Sequence, residues 1–180
     1  GGCIPERLEK YRSAPSGGIY SLYSVHYGAH DGNSLLERFI DDLSNYWKSV
    51  ICVGSGNEGN AAGHTAVQLE TGRSQEVQLA VSAGEPVLNV QIWKNYTDEI
   101  EIVLESPSGQ RAGPIQERLG TQRLTLDGTE ILLYYGKPSP YSTNQEIYLD
   151  FLPANAYVAD GIWKIHLIPR KLVMGTVAFW

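Results

Sequence analysis

Two hydrophobic rhythms divide the chain. Between Ser34 and Lys48, residues Leu35, Leu36, Phe39, Ile40, Leu43 and Trp47 recur at three- and four-residue steps, which lays one apolar stripe along an α-helix. Glu37, Arg38, Asp41, Asp42 and Lys48 fall on the opposite side, so the stripe is expected against a sheet and the charges in water. Ser34 and Glu37 have the S-x-x-E spacing of a capping box, which starts the helix there. Residues suited to strands flank it, Ile19 to Val25 before and Val50 to Val53 after. A strand, a helix and a strand in that order predict a βαβ unit with parallel strands and a right-handed crossover.

Beyond Gly63 the period becomes two. Val67 and Leu69, then Val77, Leu79 and Val81, then Leu88, Val90 and Ile92 alternate with polar neighbours, as half-buried strands do. Ile100, Ile102 and Leu104 alternate with Glu99, Glu101 and Glu105. A turn is expected at Ser106-Pro-Ser-Gly109, a type I′ hairpin about Asp127-Gly128, and a rigid loop at Lys137-Pro-Ser-Pro140. Further strands centre on Ile147, Leu149 and Phe151, on Trp163, Ile165 and Leu167, and on Gly175 to Trp180. Short strands at this spacing predict a two-sheet jelly roll. The fold class expected is therefore α+β: a flexible lead-in over 1–18, a partial α/β unit over 19–63 and an all-β jelly-roll sandwich over 64–180.

Composition narrows the function. A formal net charge of -6 with no basic patch argues against nucleic acid or an anionic membrane as partner. No apolar run approaches the roughly 20 residues of a membrane span. Cys3 and Cys52 are far apart and lack a nearby histidine pair, so no metal site, cofactor or disulfide framework is expected.

The candidate chemistry lies where the Val50 to Val53 run meets Gly54, Gly56 and Gly59. Little side-chain bulk remains there, and the carboxamide of Asn57 can donate two hydrogen bonds into the space. A donor at the tip of a central strand suits stabilisation of a developing oxyanion in acyl transfer. A plain Asn-Glu-Gly turn is the structural alternative.

The run Gly28-Ala-His-Asp-Gly-Asn-Ser-Leu-Leu-Glu37, the helix, and Ser49-Val-Ile-Cys-Val-Gly-Ser-Gly-Asn-Glu-Gly59 together resemble the middle of the subtilisin-like serine proteases, in particular their clostridial spore-germination (Csp) branch. The resemblance implies that 19–63 is a partial subtilisin-like α/β unit and that Asn57 is the oxyanion-hole residue. It makes Ile19 to Val25 the strand along which substrate lies. Leu22 and Ser24 then stand at substrate-binding places where the family has a small Ser and a Gly, which would narrow the groove. Trp93, the Ser-Pro-Ser-Gly turn and Asp160-Gly-Ile-Trp-Lys-Ile resemble the jelly roll that Csp proteases insert before the catalytic serine. That implies packing against the rest of the protease core or a propeptide, peptide substrates in the parent enzyme, and a spore-associated or extracytoplasmic setting in a Gram-positive bacterium.

The triad motifs are missing: no Gly-Thr-Ser precedes a proline, and there is no His-Gly-Thr and no Asp-Thr-Gly or Asp-Ser-Gly. A fragment of a serine endopeptidase, inactive by itself, is therefore expected. His30 and Asp31 are adjacent, so their side chains diverge, and His64 follows the candidate loop instead of preceding it; neither is expected to be catalytic. Glu99, Glu101 and Glu105 are expected on an exposed charged face, and His166 on the surface. The alternative function is a non-catalytic sandwich that binds protein or glycan. Trp93 and Trp163 are its stacking candidates, although core packing is expected of both. An uncovered βαβ sheet would in addition favour self-association.

Overall fold

A computed structural model of the chain describes residues 28–47, 51, 63–140 and 142–180. They belong to two compact units divided between Ala61 and Ala62. The first contains helix α1, Leu35–Trp47. Its start is the expected capping box: Glu37 N donates to Ser34 Oγ at 3.2 Å and Ser34 N donates to Glu37 Oε2 at 2.9 Å. These bonds with Ser34 hold the Glu37 carboxyl below its usual range. The apolar stripe is less covered than its pattern implies, since Leu36, Ile40 and Leu43 are half-buried while Leu35 and Phe39 are 68% and 42% exposed. Amphipathic spacing builds a helix with one greasy side, but only a neighbouring layer can bury it. The expected flanking strand at 19–25 lies outside the described residues. Of the other, only Ile51 is described; it belongs to no strand and is 40% exposed.

The second unit holds ten strands: β1 Thr65–Gln68, β2 Gln75–Val81, β3 Leu88–Asn95, β4 Glu99–Glu105, β5 Arg111–Ile115, β6 Gly120–Leu126, β7 Thr129–Tyr135, β8 Asn144–Pro153, β9 Gly161–Lys171 and β10 Thr176–Phe179. They form two antiparallel sheets, ordered β1-β10-β3-β8-β7-β6 and β2-β9-β4-β5. The pairs β1·β10, β2·β9, β3·β8 and β4·β5 alternate between the sheets, which is the winding of a jelly roll. The hairpin β6·β7 widens the first sheet by two strands.

Alternation places the core. Ile92, Ile131, Leu133, Ile147, Leu149 and Phe151 from one sheet meet Ile100, Ile102, Leu104, Trp163, Ile165 and Leu167 from the other, each at most 2% exposed. Tyr135 is also fully buried, with its hydroxyl directed at Ile100 O, 3.4 Å away, and burial raises its phenol far above the usual range. The β6·β7 turn has Asp127 and Gly128 at φ 47° and 69°, the left-handed pair that a type I′ turn requires.

β5 is the strand that periodicity did not predict. It is short and contains Gly113-Pro114 where the register with β4 shifts. A Cβ at Gly113 would lie 2.7 Å from Ile102 O, and its φ is +126°, so only glycine lets the two backbones approach here.

Candidate functional site

Asn57, Leu22 and Ser24, the residues to which sequence assigns chemistry, lie outside the described residues. The loop that carries the other half of the resemblance is described. His30 has φ 52°, and the Asp31 carboxylate accepts from its own loop, taking Asn33 N–H at 3.0 Å. Asn33 Oδ1 in turn accepts from Arg38 Nη2 at 3.1 Å. Asp31 therefore shapes the turn into α1. His64 stacks on Trp180 with centroids 4.7 Å apart and planes 15° from parallel, and closes the β1·β10 pair.

The sandwich motifs come together in space. Ser108 Oγ donates to Asp127 Oδ1 at 2.6 Å and Ser108 N to Asp127 Oδ2 at 3.2 Å, which ties the Ser-Pro-Ser-Gly turn to the β6·β7 hairpin. Bonds from Ser106 and Ser108 keep the Asp127 carboxyl below its usual range. A Cβ on Gly161 would come within 3.0 Å of Pro107 Cβ, so the Asp-Gly-x-Trp strand starts against the same turn. Trp163 is 1% exposed, meets Phe151 edge-on at 5.2 Å and donates to Ala159 O. It is a core residue and cannot stack on a sugar. Trp93 remains partly exposed on the outer face of the six-stranded sheet.

The outer face of the four-stranded sheet is charged, but it is less open than alternation implied. Glu105 is 8% exposed. It accepts from His166 Nε2 at 3.1 Å and from Arg111 Nε at 2.7 Å, and pairs with Lys164 Nζ at 3.2 Å. An ionised carboxylate only accepts, so the His166 proton in this pair sits on Nε2. His166 does face outward as expected, yet it is held between strands and does not stand free. Glu76 on β2 reaches the same group, 3.9 Å from Lys164 and from His166 Nδ1. The network thereby crosses all four strands.

Hydrogen bonds from His166, then Lys164 and Arg111, lower the Glu105 pKa from 4.5 to about 2. A depressed folded-state pKa stabilises the fold above pH 4.5, and the contribution is lost as pH falls through about 2. Urea midpoints followed downward from pH 6 should therefore fall more steeply for the natural chain than for Glu105→Gln across that window. Parallel acid limbs would show that Glu105 is not the group responsible.

At the opposite end from the Ser-Pro-Ser-Gly turn, a buried polar cluster closes the sandwich. Lys94 is 1% exposed and points inward from β3. Its Nζ donates to Asp98 O and to Gln145 Oε1, and lies 3.1 Å from Glu117 Oε2. The Asp98 side chain accepts from the backbone N–H groups of Val173, Met174 and Gly175. No sequence motif flagged this cluster. The only local hint is a lysine in phase with Val90 and Ile92.

A concavity of about 390 Å³ beside it is lined by Glu99, Ile100, Glu101, Gln116, Glu117 and Arg170. Its charges are answered within the fold: Arg170 pairs with Glu101 at 2.6 Å, Lys94 with Glu117, and Lys171 with Glu99 at 3.8 Å. Among the described residues no group of three or more His, Cys, Asp or Glu side chains could hold a metal ion, and no helix is long and apolar enough to cross a membrane.

The chain has a counterpart among solved structures. It is similar to the Clostridium perfringens CspB protease. The two superpose with a TM-score of 0.78 and 26% sequence identity, over 85% of this chain and 32% of the CspB chain. This chain thus spans about a third of the CspB protease. No family model and no curated protein matches it.

Proposed function

We propose that the chain is the part of a subtilisin-like serine endopeptidase that carries the oxyanion-hole loop, with Asn57 as the donor, and a structural jelly roll that steadies the protease core. The observation that carries this is the similarity to the CspB protease over 85% of the chain; the capped loop of residues 28–37 agrees with it. In this proposal residues 19–63 form the α/β remnant, and Leu22 and Ser24 border the substrate strand. Nucleophile, base and orienting acid come from polypeptide other than these 180 residues, whose sequence contains none of the three motifs. The exposed Leu35 and Phe39 of α1 belong to a surface that the rest of the core, or a second copy, covers.

Two measurements test the proposal. The 180-residue chain alone is expected to release no peptides from casein or a fluorogenic substrate; cleavage abolished by an active-site serine reagent would overturn the assignment. In a polypeptide that supplies the triad, Asn57→Ala should lower kcat about 10²- to 10³-fold with little change in KM, the loss known for such a donor in subtilisin itself. An unchanged kcat would remove Asn57 from the chemistry.

A further inference from the structure

Lys94 and Gln145 stand directly opposite each other on β3 and β8, the two middle strands of the six-stranded sheet. Both side chains turn into the core, and the residues are 1% and 2% exposed. The Gln145 amide is fixed at both ends. Its Nε2 donates to Gly136 O at 2.9 Å, so its carbonyl oxygen faces the lysine and accepts from Nζ at 2.7 Å. The carbonyl carbon lies one bond, about 1.23 Å, behind that oxygen, close to the separation of about 3–3.5 Å at which bond-forming atoms are held.

A buried ammonium is costly unless it is answered, and the groups that answer this one are those that amide formation needs. A lysine becomes a nucleophile once an adjacent base takes one of its protons. Glu117 Oε2, 3.1 Å from Nζ, is placed to do so. Asp98 is not, because its carboxylate already accepts from Val173, Met174 and Gly175, and only its carbonyl receives Nζ. The Lys94 side chain is 0% exposed, which keeps water from competing at the carbonyl, whereas the Glu117 side chain is 26% exposed and lines the concavity of about 390 Å³. Protons and a small leaving group therefore have a way out through Glu117.

We propose that Lys94 and Gln145 close into an intramolecular isopeptide bond, a covalent rung between β3 and β8 whose formation Glu117 promotes. Glu117 takes one proton from the Lys94 ammonium, Nζ attacks Gln145 Cδ, and the protonated Glu117 donates toward Oε1 as negative charge develops there. Collapse of the tetrahedral adduct breaks the Cδ–Nε2 bond. Both protons that Nζ gives up leave on Nε2, so one ammonium group and one carboxamide become one secondary amide and one free ammonium ion. Glu117 ends as the carboxylate it began as, and no oxidant or reductant is needed. The rung joins two strands at the end of the sandwich that the Asp98 turn closes, and it depends neither on Asn57 nor on any proteolytic activity.

The test is an intact-mass measurement of the full chain after prolonged incubation at neutral pH, followed by peptide mapping. A mass lower than the sequence sum by one ammonia is expected, together with a branched fragment joining the segments around Lys94 and Gln145. Glu117→Gln, at a partly exposed position, should keep the circular dichroism of the natural chain and form the bond about 10²-fold more slowly; Lys94→Met should keep its full mass. A natural chain that retains the sequence mass overturns the proposal. So does ammonia loss that persists in Lys94→Met, which places the loss elsewhere, or an undiminished rate in Glu117→Gln.

Discussion

Replacing Trp163 with alanine is expected to lower the free energy of unfolding by about 3–5 kcal/mol, the usual range for removing a buried aromatic. Trp163 is the largest fully buried side chain in the sandwich. It stands on β9, between β2 and β4 in the four-stranded sheet, and its edge meets Phe151 of the facing sheet. The indole N–H also ties it to Ala159 O at 2.9 Å, so truncation leaves a cavity and an unanswered carbonyl together. Urea unfolding followed by circular dichroism measures the loss, and Trp163→Phe should recover part of it. A loss under 1 kcal/mol would mean that the two sheets collapse onto the gap, contrary to the limited relaxation that close-packed cores show.

Removing the Asp98 carboxylate is the second large effect, expected at about 3–4 kcal/mol for Asp98→Ala, since hydrogen bonds to a charged acceptor contribute about 1.5–3 kcal/mol each and do not add fully. Asp98 is fully buried, and it gathers three successive N–H groups of the turn between β9 and β10. Its own carbonyl receives Lys94 Nζ, which rests on Gln145 across the β3·β8 pair. Loosening Asp98 therefore loosens the end of the sandwich from both sheets. Amide exchange at residues 173–175 should accelerate in Asp98→Asn as well, because a carboxamide keeps one acceptor and turns a donor toward a donor. Unchanged exchange there would show that other groups hold the turn.

These two residues differ in how plainly the chain announces them. Trp163 sits in an alternating run with Ile165 and Leu167, and inward placement follows from period alone. The same holds for Ile100, Ile102 and Leu104, and for the Asp127-Gly128 hairpin, whose turn chemistry is local. Ser34 and Glu37 announce the helix start because their reciprocal bonds span three residues. Lys94 reaches Gln145 across 51 residues of sequence and Asp98 reaches Gly175 across 77, and a charged side chain in an inward phase reads locally as an interruption. β5 was hidden for a related reason: Gly113-Pro114 looks like a break, yet it serves a close backbone approach that only the neighbouring strand reveals. Glu105 and His166 were placed on the correct face, but their contact needs the β4·β9 register, which no local pattern encodes. Asn57 rests on its glycine-rich loop together with the resemblance, and Leu22 and Ser24 on the resemblance alone.

The antiparallel pairing of β1 with β10 sets Thr65 against Phe179. The first and last strands of the sandwich therefore lie side by side, with these positions about 5 Å apart. A body whose first and last strands meet in so narrow a neck holds its two ends together without a separate brace, and His64 stacked on Trp180 acts as the clasp.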